Sequence, residues 1–370
     1  MFLTILVFFV VLTILVLIHE MGHFLVAKKL GIKVEEFGLG LPPRLFGKKI
    51  GETIYSLNAL PIGGFVRLYG EDGEDGEPKT ENRKLKTDAS RAFYARPPWQ
   101  RAAVLVAGVA MNFVLAVGII SFLFTRGVYV PTDRVHVETV APGSPASGAG
   151  LKQFDIIESI GGVYVKSSDE LVSITRAHLD KVLTIVVLRG ANFDESVKDS
   201  PCKSCQTFTF SVTPRKDAPS GQGPMGIAIS QLEKRVYPWY EAPVKGVTQA
   251  FILSKEFVKG LGRTFFKFAT LQPVGDEVAG PIGIARVTGQ AVNLGGLAVL
   301  ELLGLLSLNL AFFNILPIPA LDGGRLLFVV LEVVFRKRVK IQVERIAHQI
   351  GMAILLGLIV LISINDLIKK

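Results

Sequence analysis

The sequence predicts a polytopic α-helical membrane protein: four transmembrane helices, a membrane-associated β element, and one extracytoplasmic α+β domain. Three observations lead there. Four apolar runs are long enough to cross a bilayer at about 1.5 Å per residue. A stretch after the first run is punctuated by Gly and Pro, and a block between the second and third runs has the composition of a soluble domain. The 370 residues are 49% hydrophobic with a mean hydropathy of +0.44, too apolar for an ordinary soluble enzyme. The net charge of +9 comes from basic residues that flank the apolar runs, as the positive-inside rule expects. No nucleic-acid motif accompanies them, so the expected partner is the lipid bilayer and not nucleic acid.

The first span covers about residues 2–26, and residues 1–18 carry no charge. A cleaved signal is not expected: there is no basic leading segment and no small-residue cleavage site, and cleavage would remove the helix carrying His19. Lys28, Lys29 and Lys33 follow, which assigns that end to the cytoplasm. Across residues 31–70, Gly38, Gly40, Pro42, Pro43, Gly47, Gly51, Pro61, Gly63 and Gly64 separate short β-leaning pieces such as Thr53–Leu57 and Phe65–Leu68. This stretch reads as a small sheet beside the first helix. An acidic loop from Glu71 to Glu77 and a basic stretch from Lys79 to Arg101 read as solvated surface. With the second span, about Ala102 to Phe124, these make a first region of residues 1–126. Gly108, Ala110, Gly118 and polar Asn112 suit close packing of that span inside a bundle.

Residues 127–220 form the predicted soluble domain. Val135–Glu138 alternates like a strand, Asp155–Gly162 reads as a strand entering a tight turn, and Leu183–Leu188 as another strand. Ser168–His178 reads as a helix capped by Ser168 or Asp169. By the charge rule this domain lies outside the cytoplasm, where Cys202 and Cys205 could form a loop disulfide. Its order of elements resembles a PDZ domain.

Residues 221–293 combine a linker with an amphipathic helix over 243–270. Lys255, Lys259, Arg263 and Lys267 occupy one face, and Val247, Phe251, Val258, Leu261, Phe265 and Phe268 another, a pattern suited to lying on a lipid surface. Trp239 and Tyr240 are placed to anchor it at the headgroups. Residues 294–370 hold the third span, about Leu294 to Leu316, and the fourth, about Ile346 to Ile364. Arg336–Lys340 between them points to the cytoplasm.

The chemistry is concentrated in His19-Glu20-Met21-Gly22-His23. On a helix, residues four apart share a face, so both imidazoles can reach one metal ion. Glu20 lies between them and is available to act on a water molecule. The alternative is two histidines packed in a polar bundle core. Ionisable groups at the edge of a span are costly and mark function, which favours the metal.

A catalytic zinc takes three protein ligands, so one is still needed. Asn314-Ile315-Leu316-Pro317-Ile318-Pro319-Ala320-Leu321-Asp322-Gly323-Gly324 meets the requirement. Pro317 and Pro319 break the third span, Gly323-Gly324 allows a tight turn, and Asp322 is exposed at the depth of the histidines. A carboxylate among apolar residues needs a partner, and Zn²⁺ is a good one. An N-cap role for Asp322 is the competing reading.

At these residues the chain resembles the site-2 intramembrane metalloproteases, closest to the bacterial regulator of sigma-E protease type. The resemblance rests on His19–His23 and on Asn314–Gly324. Gly63-Gly64-Phe65-Val66, Gln100-Arg101-Ala102 with Ala107-Gly108 and Asn112, and Gly280–Ala285 add to it. It implies Zn²⁺ held by His19, His23 and Asp322, with Glu20 as general base and Asn314 positioning the substrate or stabilising the oxyanion. It implies a bacterial cytoplasmic-membrane enzyme with its active site near the cytoplasmic face. Such an enzyme cuts transmembrane segments of single-span proteins, anti-sigma factors or signal-peptide remnants, after a first extracytoplasmic cut. Two departures stand out: the branch's best-known members carry two tandem PDZ domains where this chain has room for one, and Gln153-Phe154-Asp155 replaces the more usual Gly-Asp pair.

A transmembrane substrate hides its carbonyls in helical hydrogen bonds and must unwind before it can be cut. An edge strand within residues 35–69 is expected to receive the opened segment by strand addition. The competing reading from another class is a catalytically inactive PDZ-bearing membrane scaffold, which has no use for Glu20. A prenyl-protein protease would need a downstream glutamate ligand, and a transporter an internal repeat; neither is evident.

Overall fold

The computed structural model describes residues 2–71, 89–190, 206–270 and 280–368. Cys202, Cys205, most of the acidic loop and much of the basic stretch lie outside the described residues. The chain divides into two compact units, one of Met1–Thr125 with Pro238–Lys370 and one of Arg126–Tyr237.

Among the described residues of the larger unit, four helices are long and apolar enough to cross a membrane. They are α1 (Phe2–Lys29), α2 (Pro98–Arg126), α7 (Gly296–Ile315) and α9 (Ile341–Ile368). α2 begins with Pro98, whose fixed φ and missing N–H suit the first helical position. α1 ends in two lysines and then Gly31, at φ +72. Ile354 and Leu361 on α9 are 67% and 64% exposed, as expected of side chains that face lipid. α1, α2 and α7 pack through Val11, Leu15, Ile119 and Leu303, which are buried together.

Two shorter helices flank α7. α6 (Pro281–Leu294) precedes it and is separated from it by Gly295, at φ +108. α8 (Asp322–Phe335) follows it after the proline-containing segment. α6 carries the Gly280–Ala285 motif at its start, and its first amides are capped from α9: Gly280 N–H and Gly283 N–H both donate to Asp366 Oδ2 at 2.9 Å. α5 (Ala242–Ala269) is the amphipathic helix. It follows the bundle wall: Gly246 abuts Ser121, Phe251 packs on Phe113, and Phe257 packs on Phe312 and Phe313. Contacts at Ser121 and Phe113 are eight residues apart on α2, about 12 Å of helix.

Residues 34–68 form an antiparallel sheet from two long bent strands, β1 (Val34–Ile50) and β2 (Thr53–Leu68). Each strand is used twice. Phe37 is paired with both Tyr55 and Val66, and Tyr55 with both Phe37 and Lys48. The spatial order is therefore 44–50, 53–58, 34–39, 64–68, with Gly64–Leu68 on an outer edge. Gly64 brings that edge against α1, where a Cβ would stand 3.7 Å from Val16 Cγ1 and 3.8 Å from Glu20 Cγ.

The smaller unit has a β-sheet ordered β7-β6-β4-β3-β8, with β5 (Val163–Tyr164) paired to β4. The strands are β3 (Val128–Val140), β4 (Ile156–Ile160), β6 (Leu183–Arg189), β7 (Gln206–Val212) and β8 (Ile227–Arg235). Alternate residues such as Val135, Val137, Ile185 and Val187 fill its core with Leu171 of α4 (Ser168–Ala177). A short α3 (Pro145–Ala149) completes it. The α4 cap is Ser167, one residue earlier than Ser168 or Asp169: Ser167 is extended and its hydroxyl accepts from Glu170 N–H at 3.2 Å.

Candidate active site

His19 and His23 lie in the second half of α1, one turn apart and both buried. Their Nε2 atoms are 3.1 Å apart. Asp322, on α8, adds Oδ2 at 2.9 Å from His19 Nε2 and 3.2 Å from His23 Nε2. Three donor atoms from residues some three hundred positions apart thus converge on one point. They are the His/Cys/Asp/Glu group that could hold a metal ion among the described residues.

Convergence is possible because α1 and α2 cross closely. A Cβ on Gly22 would meet the Ala107 carbonyl, and one on Gly108 would stand 2.7 Å from His23 Cε1 and 2.8 Å from His19 Cε1. Only glycine at both positions leaves room for two imidazoles between the helices.

The outer ring nitrogens have partners as well. His23 Nδ1–H donates to the Val104 carbonyl oxygen at 2.8 Å, which fixes the tautomer and leaves Nε2 with a bare lone pair. His19 Nδ1 is 3.4 Å from the amide of Asn112, a residue fully buried in α2. With its oxygen turned to the ring, that amide accepts the Nδ1–H and leaves His19 Nε2 bare too. Ser307 Oγ–H donates to the Asn112 carbonyl at 2.8 Å and anchors this turn.

Asp322 is the first residue inside α8, and Leu321 stands at the N-cap with no side-chain cap bond. The N-cap reading of Asp322 therefore gives way to a carboxylate facing the histidines. The glycine pair does other work than turning the chain: Cβ atoms on Gly323 and Gly324 would run into the carbonyls of Ile315, Leu316 and Ile318. The turn is made at Ala320, a non-glycine residue at φ +83. Asn314, the penultimate residue of α7, brings its amide to 3.4 Å from His19 Nε2.

Glu20, His23 and Asp322 line one cavity of about 280 Å³. Phe65 and Val66 of the sheet edge form one wall, and His348 and Met352 of α9 another. The five residues singled out in the sequence are thus brought together. Val104, Asn112 and His348 were not singled out for a role at this site. For Asn112 a signal existed: it stands four residues after Gly108 in an apolar helix, on the face turned to the histidines.

The model of peptidase family M50 matches residues 7–358. The chain belongs to that family. A Clostridium perfringens protein provisionally named a zinc metalloprotease is 33% identical over 96% of this chain and 95% of its own length. The zinc metalloprotease RasP of Bacillus licheniformis is 31% identical over 98% of both chains. The regulator of sigma-W protease RasP of Bacillus subtilis is 28% identical over 98% of both. As a family M50 member this chain is a multi-pass membrane metalloprotease that uses zinc.

The donor set fits such an ion. Zinc takes imidazole nitrogen and carboxylate oxygen at about 2.0–2.2 Å in a tetrahedron, which sets donors about 3.3 Å apart. The observed separations of 2.9, 3.1 and 3.2 Å are close to that. Three lone-pair donors at this spacing repel one another unless a cation lies among them.

Proposed function

We propose that this metalloprotease cuts transmembrane segments of single-span membrane proteins, of the anti-sigma factor type and including signal-peptide remnants, after a first extracytoplasmic cut. His19, His23 and Asp322 hold the zinc, and Glu20 is the general base. The observation that carries this is the meeting of His19 Nε2, His23 Nε2 and Asp322 Oδ2 within 3.2 Å at the end of an apolar helix. The sigma-W regulator name of the Bacillus subtilis relative supports the anti-sigma class of substrate.

When bound, zinc polarises the scissile carbonyl and makes water acidic enough to attack near neutral pH. Glu20 accepts the proton of the attacking water on its carboxylate and returns it to the leaving amine nitrogen. Asn314, whose amide is 3.4 Å from His19 Nε2, orients the scissile peptide or donates to its developing oxyanion. The edge Gly64–Leu68 takes the unwound substrate as an added strand, so that main-chain hydrogen bonds hold it beside Glu20.

Lys28 and Lys29, five and six residues beyond His23, support an active site near the cytoplasmic face. On that orientation the unit of residues 126–237, whose sheet takes in β8 beyond the expected boundary at 220, is an extracytoplasmic PDZ-like domain that gates entry of trimmed substrates. Its antiparallel sheet, flanked by α4, supports the PDZ likeness.

The test is cleavage of a pre-trimmed single-span substrate by wild type and Glu20→Gln, with zinc content measured on both. Loss of cleavage with zinc retained is expected. Equal cleavage by the two proteins removes Glu20 from the chemistry and leaves the scaffold reading.

A further inference from the structure

The last span, α9, has no role in the reaction as described, yet two of its residues grip the segment that carries Asp322. Pro317 and Pro319 have no N–H to donate. Ile318 N–H donates back to Leu316 O at 2.7 Å and Leu321 N–H to Ile318 O at 3.2 Å, so these two stay within the segment. Ala320 N–H instead donates across to α9, to His348 Nδ1 at 2.9 Å. An accepting Nδ1 must carry a lone pair, so this ring is held with its proton on Nε2. Three residues on, Gly351 lies against the same segment. A Cβ there would be 2.5 Å from the Pro319 carbonyl oxygen and 2.6 Å from its carbon. His348 and Gly351 share a helix face, and Phe328 of α8 packs on the His348 ring at 6.1 Å between centroids.

What they grip is strained. Ala320 at φ +83 occupies a region that L-residues other than Asn, Asp and His rarely adopt, and such residues persist only where the surroundings over-determine them. Asp322 follows two residues later. Relaxation of Ala320 would swing the start of α8 and take the carboxylate out of line with the histidine nitrogens.

We propose that His348 and Gly351 are positioning residues for Asp322. His348 acts through its Nδ1 acceptor and Gly351 through its missing side chain, holding the Pro317–Leu321 backbone in the form that aims the carboxylate. The proposal rests on the reading of Asp322 as a zinc ligand.

The experiment compares His348→Phe, which keeps a ring against Phe328 but has no acceptor, with His348→Asn, whose Oδ1 can take the place of Nδ1. Readouts are zinc retention against a chelator, the visible absorption of the cobalt-substituted protein, and kcat and KM on a pre-trimmed substrate. His348→Phe is expected to lose zinc about tenfold or more faster, with an altered cobalt spectrum and a fall in kcat at near-constant KM. His348→Asn is expected to stay near wild type. Adding Ala320→Gly to His348→Phe should recover part of the loss, because glycine adopts positive φ freely. Wild-type behaviour of His348→Phe overturns the proposal, and so does equal impairment of the two variants. Asp322→Asn run in parallel separates the two readings: unchanged zinc retention there overturns the ligand assignment itself.

Discussion

His23 Nδ1–H is held by the carbonyl oxygen of Val104 at 2.8 Å, a main-chain group of α2 that no substitution can remove. The bond decides which nitrogen of His23 faces Asp322, and it ties metal geometry to the packing of α1 on α2. Perturbing that packing should therefore be read out first in the metal.

Gly108→Ala tests this directly. The added methyl stands 2.7 Å from His23 Cε1, so the ring must move or α2 must back away. Overpacking of this kind costs about 1–3 kcal/mol, and zinc content should fall with activity. Full zinc occupancy in the purified variant would contradict the close-crossing account.

Asn112→Ala removes the partner of His19 Nδ1 and opens a buried gap. Loss of such a supporting hydrogen bond typically lowers metal affinity or activity about 10–100-fold. Titration with a competing chelator should show weaker zinc binding. Asn112→Asp, which keeps an acceptor, should be less affected.

Prolines on the sheet edge test strand addition. N–H groups alternate along a strand, so of Phe65 and Val66 only one points away from the neighbouring segment. Whichever of Phe65→Pro and Val66→Pro preserves thermal stability should lower cleavage by roughly 2–10-fold, the worth of one net hydrogen bond, without loss of zinc. Undiminished cleavage by that variant would sink the edge as the substrate site.

The turn between β1 and β2 predicts a pH dependence. Arg91 donates to Glu52 at 2.7 and 2.8 Å and Lys28 at 3.2 Å. The Arg91 hydrogen bonds, joined by Lys28, hold the Glu52 carboxyl down to about 2 from its ordinary 4.5. A carboxyl lowered on folding stabilises above its unfolded value, and that stabilisation is lost as pH falls through the folded one. The melting-temperature gap between wild type and Glu52→Gln should be full above pH 4.5 and shrink towards pH 2. A gap constant across that window rejects the pairing.

In the smaller unit, Asp155 is fully buried and takes Arg189 Nε and Nη2 at 2.7 Å each. Arg189→Leu strands that charge and should destabilise the unit by about 3–5 kcal/mol. Limited proteolysis should then cut within residues 126–237 far sooner than in wild type. Pairing it with Asp155→Leu should restore much of the loss.

The spans, the histidine pair and Glu20 were legible from residue order alone, because hydropathy and the four-residue repeat of a helix are local properties. Even Asp322 could be anticipated, since prolines ending an apolar run and an acid at its foot make a local signal. What no local pattern carries is proximity. Asp322 is 303 residues from His19, and the grip of His348 on Ala320 joins segments 28 residues apart that share no local pattern. The glycine pair looked like the turn because glycine permits one. Only packing shows that Gly323 and Gly324 are there for close approach and that Ala320 turns instead. The same holds for β1 and β2, which read as short pieces because Gly and Pro interrupt them, whereas the pairing of each strand with two parts of the other makes them continuous. Residue order set which groups could do the chemistry; the crossing of α1 on α2 and the docking of α9 on the Pro317–Leu321 segment brought them within bonding distance, because only contacts distant in sequence can bring distant donors together.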